Sequence, residues 1–379
     1  MKKILAVTLV LCIAAGFAFA GGGKAGGSSA SGGSTFIGIA MPETHVQRWV
    51  KDGASLKKFA EEKGYRAETS FGDADQSVQN RQIEGFLTQG AKVLVIGSVN
   101  EGVISAVASA AQDKVAVIAY DRIISNSADY DYYITFNNFK VGQFQGQGIE
   151  QGLNLKAATA ANPKYITLFA GSPTDGNAFF FYDGAMSVLN PYIDSGVLKV
   201  VGPYPKTSKD TANFQRIATE NWSGPIAKTR MENLLNNDAR DVVLDAVLAP
   251  NDTLARAIIE ACLADAKYAA AGKLPVTTGQ DAEADSTLSI KNGRQYMTVF
   301  KDTTKLAEAA ILLADQILKG QTINIPGATL ASGDLLSIGD TGKKVVKAYL
   351  LEPILVTKDN WQVPVQAGFY TPEEEARLK

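Results

Sequence analysis

Histidine and cysteine are scarce in this chain. Its 379 residues include one histidine, His45, and two cysteines, Cys12 and Cys262. A single histidine excludes metal sites that need several. Cys12 lies in an N-terminal apolar run that we expect to be cleaved off, so no internal disulfide is predicted. Cys262 lies in an apolar helical pattern and is predicted to be a small buried side chain. We therefore expect no metal site and no cofactor.

The chain also lacks the common motifs of catalysis and of phosphate binding. It contains no GxxxxGK[ST], no GxGxxG that follows a strand, and no GxSxG. A serine–histidine device would have to use His45, and no nucleophile elbow is available to face it. The formal net charge is −2, which gives no electrostatic reason to bind nucleic acid or an anionic membrane. We expect a protein without catalytic residues and without a nucleic-acid partner.

The N-terminal residues do not have the pattern of a folded domain. Lys2 and Lys3 precede an apolar run that ends in an A-x-A sequence at residues 18–20. Residues 1–20 are therefore predicted to be a secretory signal peptide. A membrane anchor is the alternative, but the apolar run is short and small residues follow it. Residues 21–34 are rich in glycine and serine and are predicted to be a flexible tether.

From Thr35 onward, short apolar runs alternate with amphipathic helical segments. One series of this kind extends to about Phe136, and a second begins near Asn138. Strands that alternate with helices predict right-handed, doubly wound parallel sheets of the α/β class. The shared rhythm of the two series favours two similar lobes over one long sheet. A last strand is predicted over Lys347–Val356, at a sheet edge because Pro353 cannot donate a hydrogen bond.

Polar, charged and aromatic side chains follow many of the predicted strands. The clearest case is Val115–Ile124, where an apolar run ends abruptly in Asp121 and Arg122. A strand-end ion pair is the simplest explanation, but open α/β sheets also bind ligands at the carboxyl ends of their strands. The clusters contain Arg48 and Trp49, Asp121 and Arg122, Asp175 and Asn177, Asn221 and Trp222, Asn251 and Asp252, Gln280 and Asp281, and Lys301.

Taken singly, these residues have structural explanations. Polar residues after a strand are common helix N-caps, which applies to Asp252 and Asn177. Trp49 and Trp222 are compatible with core packing, and Lys301 with a solvated charge. Taken together, they match a monosaccharide, whose hydroxyls both donate and accept hydrogen bonds and whose C–H faces pack on aromatic rings. We therefore favour a sugar-binding cleft to which both lobes contribute.

The chain resembles the periplasmic monosaccharide-binding proteins of ATP-driven sugar importers, in the xylose-binding and multiple-sugar-binding branch of the type I periplasmic binding proteins. The matching stretches are MPETHVQRW, KVLVIGS, VIAYDRII, YITFNNFKVG, GSPTDGNAFFFYDGAMSVLNPYIDSG, DAVLAPND, TGQDAE, TVFKDT and YLLEPILVTKDN. They cover nearly the whole mature chain. GSPTDGNAFFFYDGAMSVL and TGQDAE are the most specific, whereas AYDR is shared with repressor cores.

The resemblance implies two Rossmann-like lobes with parallel sheets, joined by three hinge crossings. The crossings are expected near residues 137–138, 281–283 and 345–347. The N-terminal lobe would comprise residues 35–137 and 282–346, and the C-terminal lobe residues 138–281 and 347–379.

The resemblance also implies which residues contact the sugar. Carried over by motif, these are Arg48, Asp121, Arg122, Asp175, Asn177, Trp222, Asn251, Asp281 and Lys301, with Trp49 as a further stacking face and His45 at the rim. The chain departs from the family pattern at Asn137, where relatives have Asp, and at Gly176, where they have Asn. The stretch 203–221 also matches poorly. These departures affect the expected sugar preference more than the expected function.

The implied function is a monomeric periplasmic receptor that closes on one aldopentose or aldohexose, such as xylose, glucose, galactose or arabinose. The closed form would deliver the sugar to the membrane permease of an ABC transporter, and a chemoreceptor or sensor kinase is a further candidate partner. A sugar-responsive repressor shares the fold, but a signal peptide stands where its helix-turn-helix would be. A secreted glycosidase, or a receptor for another polyol or a signalling furanone, remains an alternative.

Overall fold

The computed structural model describes residues 34–46 and 48–379. The predicted signal peptide, and the predicted tether up to residue 33, lie outside the described residues. Among the helices of the described part, none is long and apolar enough to cross a membrane.

The elements alternate along the chain as the sequence predicts. The strands are β1 (Phe36–Met41), β2 (Arg66–Phe71), β3 (Val93–Ile96), β4 (Ala116–Tyr120), β5 (Tyr132–Phe136), β6 (Lys164–Leu168), β7 (Leu198–Val200), β8 (Ala246–Leu248), β9 (Val276–Thr277), β10 (Met297–Phe300), β11 (Ala328–Leu330), β12 (Lys347–Leu351) and β13 (Ile354–Thr357). The helices are α1 (Arg48–Glu62), α2 (Gln76–Thr88), α3 (Ile104–Gln112), α4 (Asn138–Gly152), α5 (Gly176–Asp194), α6 (Thr211–Ile217), α7 (Gly224–Asn236), α8 (Asp252–Ala264), α9 (Ala266–Ala271), α10 (Ala284–Lys291), α11 (Thr303–Leu318), α12 (Val363–Gln366) and α13 (Pro372–Leu378). Short 3₁₀ helices lie at Glu101–Val103, Leu155–Ala157, Glu220–Trp222 and Gly333–Gly339.

A seven-stranded sheet forms the first lobe, in the order β11–β12–β5–β4–β3–β1–β2. Its neighbours are parallel except for the antiparallel edge pair β11–β12. The four residues of β3 are all fully buried, as expected for an apolar strand of a parallel sheet that is covered on both faces. Because β1 lies between β2 and β3, the strand order reverses there, and ligands bind at the carboxyl ends of strands beside such a switch point.

The second lobe contains a parallel four-stranded sheet in the order β7–β6–β8–β9. The antiparallel pair β10–β13 lies beside it, since the amide of Tyr296 donates to the carbonyl of Thr277. Cys262 is buried in α8, as predicted. The predicted α/β architecture of two lobes with parallel sheets is confirmed.

Two helices of the second lobe, α4 and α5, pack unusually closely. A methyl group added at Gly142 would overlap the main chain at Phe181, and one added at Gly184 would overlap the main chain at Phe139. Glycine at these contacts therefore lets the two backbones touch. The contact also brings the first residues of both helices together, so that Asn138 Nδ2 donates a 2.7 Å hydrogen bond to Asn177 Oδ1.

The predicted second crossing, at 281–283, was wrong. After β9 the chain forms α10 and β10 within the second lobe, where the amide of Asp281 bonds the carbonyl of Val299. Helix α11 then packs on α1 and on strands of the first sheet, so the chain crosses between Phe300 and Thr303. Residues 282–300 belong with the second lobe. Both lobes repeat the same strand–helix rhythm, and the pattern does not show which sheet a strand joins.

The predicted third crossing, at 345–347, and the single strand Lys347–Val356 were also wrong. Strand β12 pairs with β5 in the first sheet, whereas β13 pairs with β10 in the second lobe. The chain therefore crosses at Glu352–Pro353. Proline has no amide hydrogen and restricts the residue before it, so it ends one strand. Because apolar residues continue on both sides of Pro353, the sequence pattern of β12 and β13 resembles that of one strand.

Candidate ligand-binding site

A cavity lies between the two lobes, at the carboxyl ends of their strands. The free space between its lining atoms, which includes space open to solvent, is about 330 Å³. Its lining residues are Val46, Arg48, Trp49, Asp121, Arg122, Asp175, Asn177, Phe181, Trp222, Asn251, Gln280, Asp281 and Lys301. All ten residues of the predicted site are in this set. The structure thus brings together side chains that lie up to about 250 residues apart in sequence.

Asp121 is held in a fixed position at the end of β4. Its backbone is left-handed, with φ of 61°, a conformation that Asp and Asn adopt more readily than most residues. The hydroxyl groups of Tyr133 and Thr135 both donate to its carbonyl, at 2.8 and 3.0 Å. Arg48 Nη2 lies 3.1 Å from the carboxylate. Burial alone would raise the pKa of Asp121, but neighbouring cations, Arg48 foremost, outweigh it and lower the pKa.

Arg48 lies among several carboxylates. Its Nη2 and Nε both donate to Asp52 Oδ2, at 2.8 and 3.3 Å, and its Nη1 lies 3.8 Å from Asp281. Burial alone would lower the pKa of Arg48, but the surrounding carboxylates, with Asp121 first, raise it well above its usual value. The guanidinium is therefore always charged and is oriented by α1, which carries both Arg48 and Asp52.

Arg122 joins the two lobes. Its Nη1 donates 3.0 Å to the carbonyl of Ser98, and its Nη2 lies 3.4 Å from Glu43. Its Nε lies 3.1 Å from Asp175 Oδ2, on the second lobe. Asp121 and Arg122 thus have different charged partners, and the simple explanation of a strand-end ion pair between them was wrong.

Trp49 packs beside both arginines. The guanidinium carbons of Arg48 and Arg122 lie 4.5 and 5.0 Å from its ring centroid, which is within the range of cation–π attraction. Only 2% of Trp49 is exposed. Its ring therefore borders the cavity and also packs against the two guanidinium groups.

Helix α5 begins at the cavity. Asp175 Oδ1 accepts from the amide of Asn177 at 3.0 Å and is the N-cap. Asn177 lies two residues later, and the cap role proposed for it was wrong. Its Nδ2 donates to the Asp121 carbonyl at 2.8 Å, while its Oδ1 accepts from Asn138 at 2.7 Å. Asn177 therefore joins α5 to the first lobe.

Trp222 forms an aromatic wall with Phe181, at a centroid distance of 6.3 Å and an interplanar angle of 63°. Its main chain is left-handed, with φ of 53°, in a 3₁₀ turn. A methyl group added at Gly171 would overlap the indole ring, so a glycine there makes room for it. Trp222 is buried, and its Nε1 donor has no protein partner.

The rest of the second-lobe wall is polar. Asn251 Oδ1 accepts from the amide of Leu254 at 3.0 Å and caps α8, so Asn251 rather than Asp252 is the N-cap. The cap leaves Nδ2 of Asn251 as the group available to a ligand. Lys301 Nζ lies 2.9 Å from Asp281 Oδ1 and 5.6 Å from the ring of Phe181. Lys301 is 3% exposed, so it is not a solvated charge.

His45 does not line the cavity. Its Nε2 lies 2.6 Å from Glu43 Oε2 and 3.2 Å from the main-chain oxygen of Asn221. It therefore links the loop after β1 to the loop that carries Trp222, beside the cavity rather than in its wall.

The charges of the lining are balanced. Arg48, Arg122 and Lys301 carry positive charge, and Asp121, Asp175 and Asp281 carry carboxylates. Behind them, burial raises the pKa of Glu43 and of Asp52. A balanced lining suits a neutral ligand that both donates and accepts hydrogen bonds. Among the described residues, no cluster of histidine, cysteine and acidic side chains could hold a metal ion.

Val46, Phe181 and Gln280 line the cavity but were not among the predicted site residues. Phe181 belongs to the run FFFY in α5, and only the phase of the helix decides which of these rings faces the cavity. Gln280 was part of the cluster that contains Asp281, and its strand-end position was the signal that could have identified it. Val46 lies just before α1 and had no distinguishing signal.

Comparison of the sequence with known proteins agrees with a ligand-binding cavity between two lobes. The sequence profile of the periplasmic binding protein domain matches residues 37–322. The chain belongs to the periplasmic binding protein family. It is 41% identical to the multiple sugar-binding periplasmic receptor ChvE of Rhizobium radiobacter, over 89% of this chain and 91% of ChvE. It is 36% identical to the D-xylose-binding periplasmic protein of Haemophilus influenzae, over 89% and 91%.

A solved structure is also similar. It is the solute binding protein of an ABC transporter from Clostridium phytofermentans with bound β-D-glucose. Its chain is 35% identical and superposes with a TM-score of 0.78, covering 91% of this chain and all of that one. The family resemblance stated from motifs is therefore confirmed, and the relatives are binding proteins rather than enzymes.

Proposed function

We propose that this protein is a periplasmic receptor that captures one neutral monosaccharide between its two lobes. The observation that carries the proposal is the cavity, where three cations and three carboxylates meet three side-chain amides and the rings of Trp222 and Phe181. The names of ChvE and of the xylose-binding protein, and the glucose bound in the clostridial structure, support the same ligand class.

The lining matches the chemistry of sugar hydroxyls. The carboxylates of Asp121, Asp175 and Asp281 accept hydrogen bonds, and Arg48 and Lys301 donate them. Charge-assisted hydrogen bonds of this kind contribute about 1.5–3 kcal/mol each. A few of them, together with packing on an indole and less the cost of ordering, reach roughly −8 kcal/mol, which corresponds to a micromolar dissociation constant.

Capture would proceed by hinge closure of the lobes. The residues that grip the sugar come from both lobes, so a bound sugar stabilises the closed form over the open one. We further propose that the closed monomer delivers its sugar to the permease of an ABC transporter without chemically changing it. The N-terminal pattern of residues 1–20 supports export to the periplasm.

A thermal-shift screen tests the ligand class. D-glucose, D-galactose, D-xylose and L-arabinose would be compared with glucose 6-phosphate, glucosamine and glutamate. A ligand that binds only the native state at 100 times its dissociation constant adds about 2.7 kcal/mol of stability. We expect at least one neutral aldose to raise the melting temperature by several degrees and the charged compounds to have no effect. A shift with the charged compounds alone would refute the proposal.

A further inference from the structure

We infer that Gln280 is a specificity-determining residue, whose side-chain oxygen accepts a hydrogen bond from one particular hydroxyl of the ligand. This inference rests on the proposed function, since it concerns the same cavity. Gln280 lines that cavity, is 2% exposed, and its Oε1 has no protein partner. A buried acceptor without a donor is costly, and a ligand hydroxyl would remove that cost.

The direction of the amide is fixed by its surroundings. Gln280 Nε2 donates to the carbonyl of Pro250 at 3.0 Å. A flipped amide would turn its oxygen toward that carbonyl, and two acceptors would then face each other without a hydrogen. The main chain is also held, since the amide of Asp252 donates to the Gln280 carbonyl at 3.0 Å. One hydrogen of Nε2 is thus used by Pro250, and Oε1 is the acceptor that no protein donor occupies.

The neighbouring groups make this acceptor distinctive. Asn251 has used its oxygen in the α8 cap, and Lys301 can only donate. Asp281 is the nearest acceptor in sequence, but its Oδ1 lies 2.9 Å from Lys301 and 3.8 Å from Arg48. Gln280 thus supplies a neutral acceptor with no cationic partner. A sugar without a hydroxyl at the facing position would leave it unpaired.

A matched control exists in Gln145 of α4. Its Nε2 also donates to the Pro250 carbonyl at 3.0 Å, and it is buried but does not line the cavity. If Gln280 serves only to satisfy Pro250, replacing Gln145 should have the same effect on sugar binding. If Gln280 accepts a hydrogen bond from a ligand hydroxyl, only the replacement of Gln280 should change the ligand preference.

The test is calorimetric titration of the full mature chain. The tightest binder among D-glucose, D-galactose and D-xylose would be compared with its monodeoxy derivatives, for the wild type, Gln280→Met and Gln145→Met. In the wild type we expect one deoxy position to lose about tenfold or more in affinity through Gln280. In Gln280→Met the affinity for that deoxy derivative should be within about twofold of the affinity for the parent sugar. The affinity losses at the other deoxy positions should be the same as in the wild type. Gln145→Met should keep the wild-type profile.

Three results would overturn the inference. The first is that Gln280→Met weakens every derivative by one common factor, the second that it leaves all the penalties unchanged, and the third that Gln145→Met shows the same altered profile. If Gln280→Met does not fold, Gln280→Asn is the substitute, because its side chain is one methylene shorter and its oxygen lies farther from the ligand. It should likewise reduce the affinity penalty at the one deoxy position and leave the other penalties unchanged. If the wild type binds none of the three sugars, the proposed function itself fails, which is a distinct outcome.

Discussion

The side-chain nitrogen of Asn177 donates a 2.8 Å hydrogen bond to the main-chain carbonyl of Asp121. Asn177 is on α5 of the second lobe, and Asp121 ends β4 of the first. The same carbonyl accepts from Tyr133 and Thr135 on β5, the last strand before the chain crosses to α4. The lining of the cavity and the contact between the lobes therefore share one residue.

Replacing Asn177 with Ala should weaken the closed form. The change removes the bond to Asp121 and leaves the buried Nδ2 of Asn138 with only its longer, 3.3 Å bond to Thr135, at a cost of about 1–3 kcal/mol. We expect sugar affinity to fall about tenfold or more, measured by calorimetry. Asn190→Ala, on the same helix but bonded to Lys206 and Tyr204, is the control and should leave affinity unchanged. Equal affinities for both variants would contradict the role of Asn177.

Asp121→Asn should weaken sugar binding strongly. Asn tolerates the left-handed backbone that Asp121 adopts, so the fold should persist while the carboxylate is lost. One charge-assisted bond contributes about 1.5–3 kcal/mol, so the dissociation constant should rise by one to two orders of magnitude. Asp73→Asn is the matched control, because Asp73 is also left-handed, with φ of 49°, but exposed. Unchanged affinity in Asp121→Asn would remove Asp121 from the binding site.

Gly171→Ala should displace Trp222 from the cavity wall. The added methyl group would overlap the indole ring, and relieving such an overlap costs about 1–3 kcal/mol. We expect weaker sugar binding and an altered tryptophan fluorescence spectrum. Gly85→Ala in α2 meets no neighbour within 4 Å and should stabilise the helix by about 0.5–1 kcal/mol without affecting binding. If Gly171→Ala binds sugar as the wild type does, the indole is not part of the ligand contact.

Two buried carboxylates should affect stability with opposite dependence on pH. The pKa of Asp121 is lowered in the folded protein because its cationic neighbours outweigh burial. Its contribution to stability is therefore complete above its unfolded pKa of about 3.9 and is lost as pH falls through the lower folded value. Burial, partly offset by Arg48, raises the pKa of Asp52, so its contribution is complete below about pH 3.9 and is lost as pH rises through the folded value.

Melting temperatures from pH 3 to 8 check these signs. Relative to the wild type, Asp121→Asn should be destabilised at pH 7, and the difference should shrink as pH falls below about 4. Asp52→Asn should become more stable relative to the wild type as pH rises from about 4 to 7. The same trend in both variants would contradict the two opposite pKa shifts.

The position of the cavity could be predicted from the sequence because its residues follow strands. Arg48 and Asp121 follow β1 and β4, and Asn251 follows β8. Carboxyl ends of parallel strands meet at one edge, whichever helices lie between them. The partners of each charge could not be predicted in this way. Asp121 contacts Arg48 rather than its neighbour Arg122, and its left-handed backbone is held by β5 hydroxyls that lie far from it in sequence.

The sequence also did not predict which lobe each strand joins. Strands β12 and β13 read as one apolar run, yet they join different sheets on either side of Pro353. Likewise, β10 stays in the second lobe because its main chain pairs with the chain around β9. Pairing between strands far apart in the chain is a long-range contact, and the apolar periodicity of each strand did not identify its partner here.

Calorimetric titration of the mature chain with D-glucose, D-galactose, D-xylose and L-arabinose tests the central proposal most directly. We predict saturable binding of at least one of these sugars, with one site per chain and a dissociation constant near the micromolar range. The intrinsic tryptophan fluorescence should change at the same concentration. A chain that folds but shows no saturable heat with any of the four sugars would contradict a monosaccharide receptor.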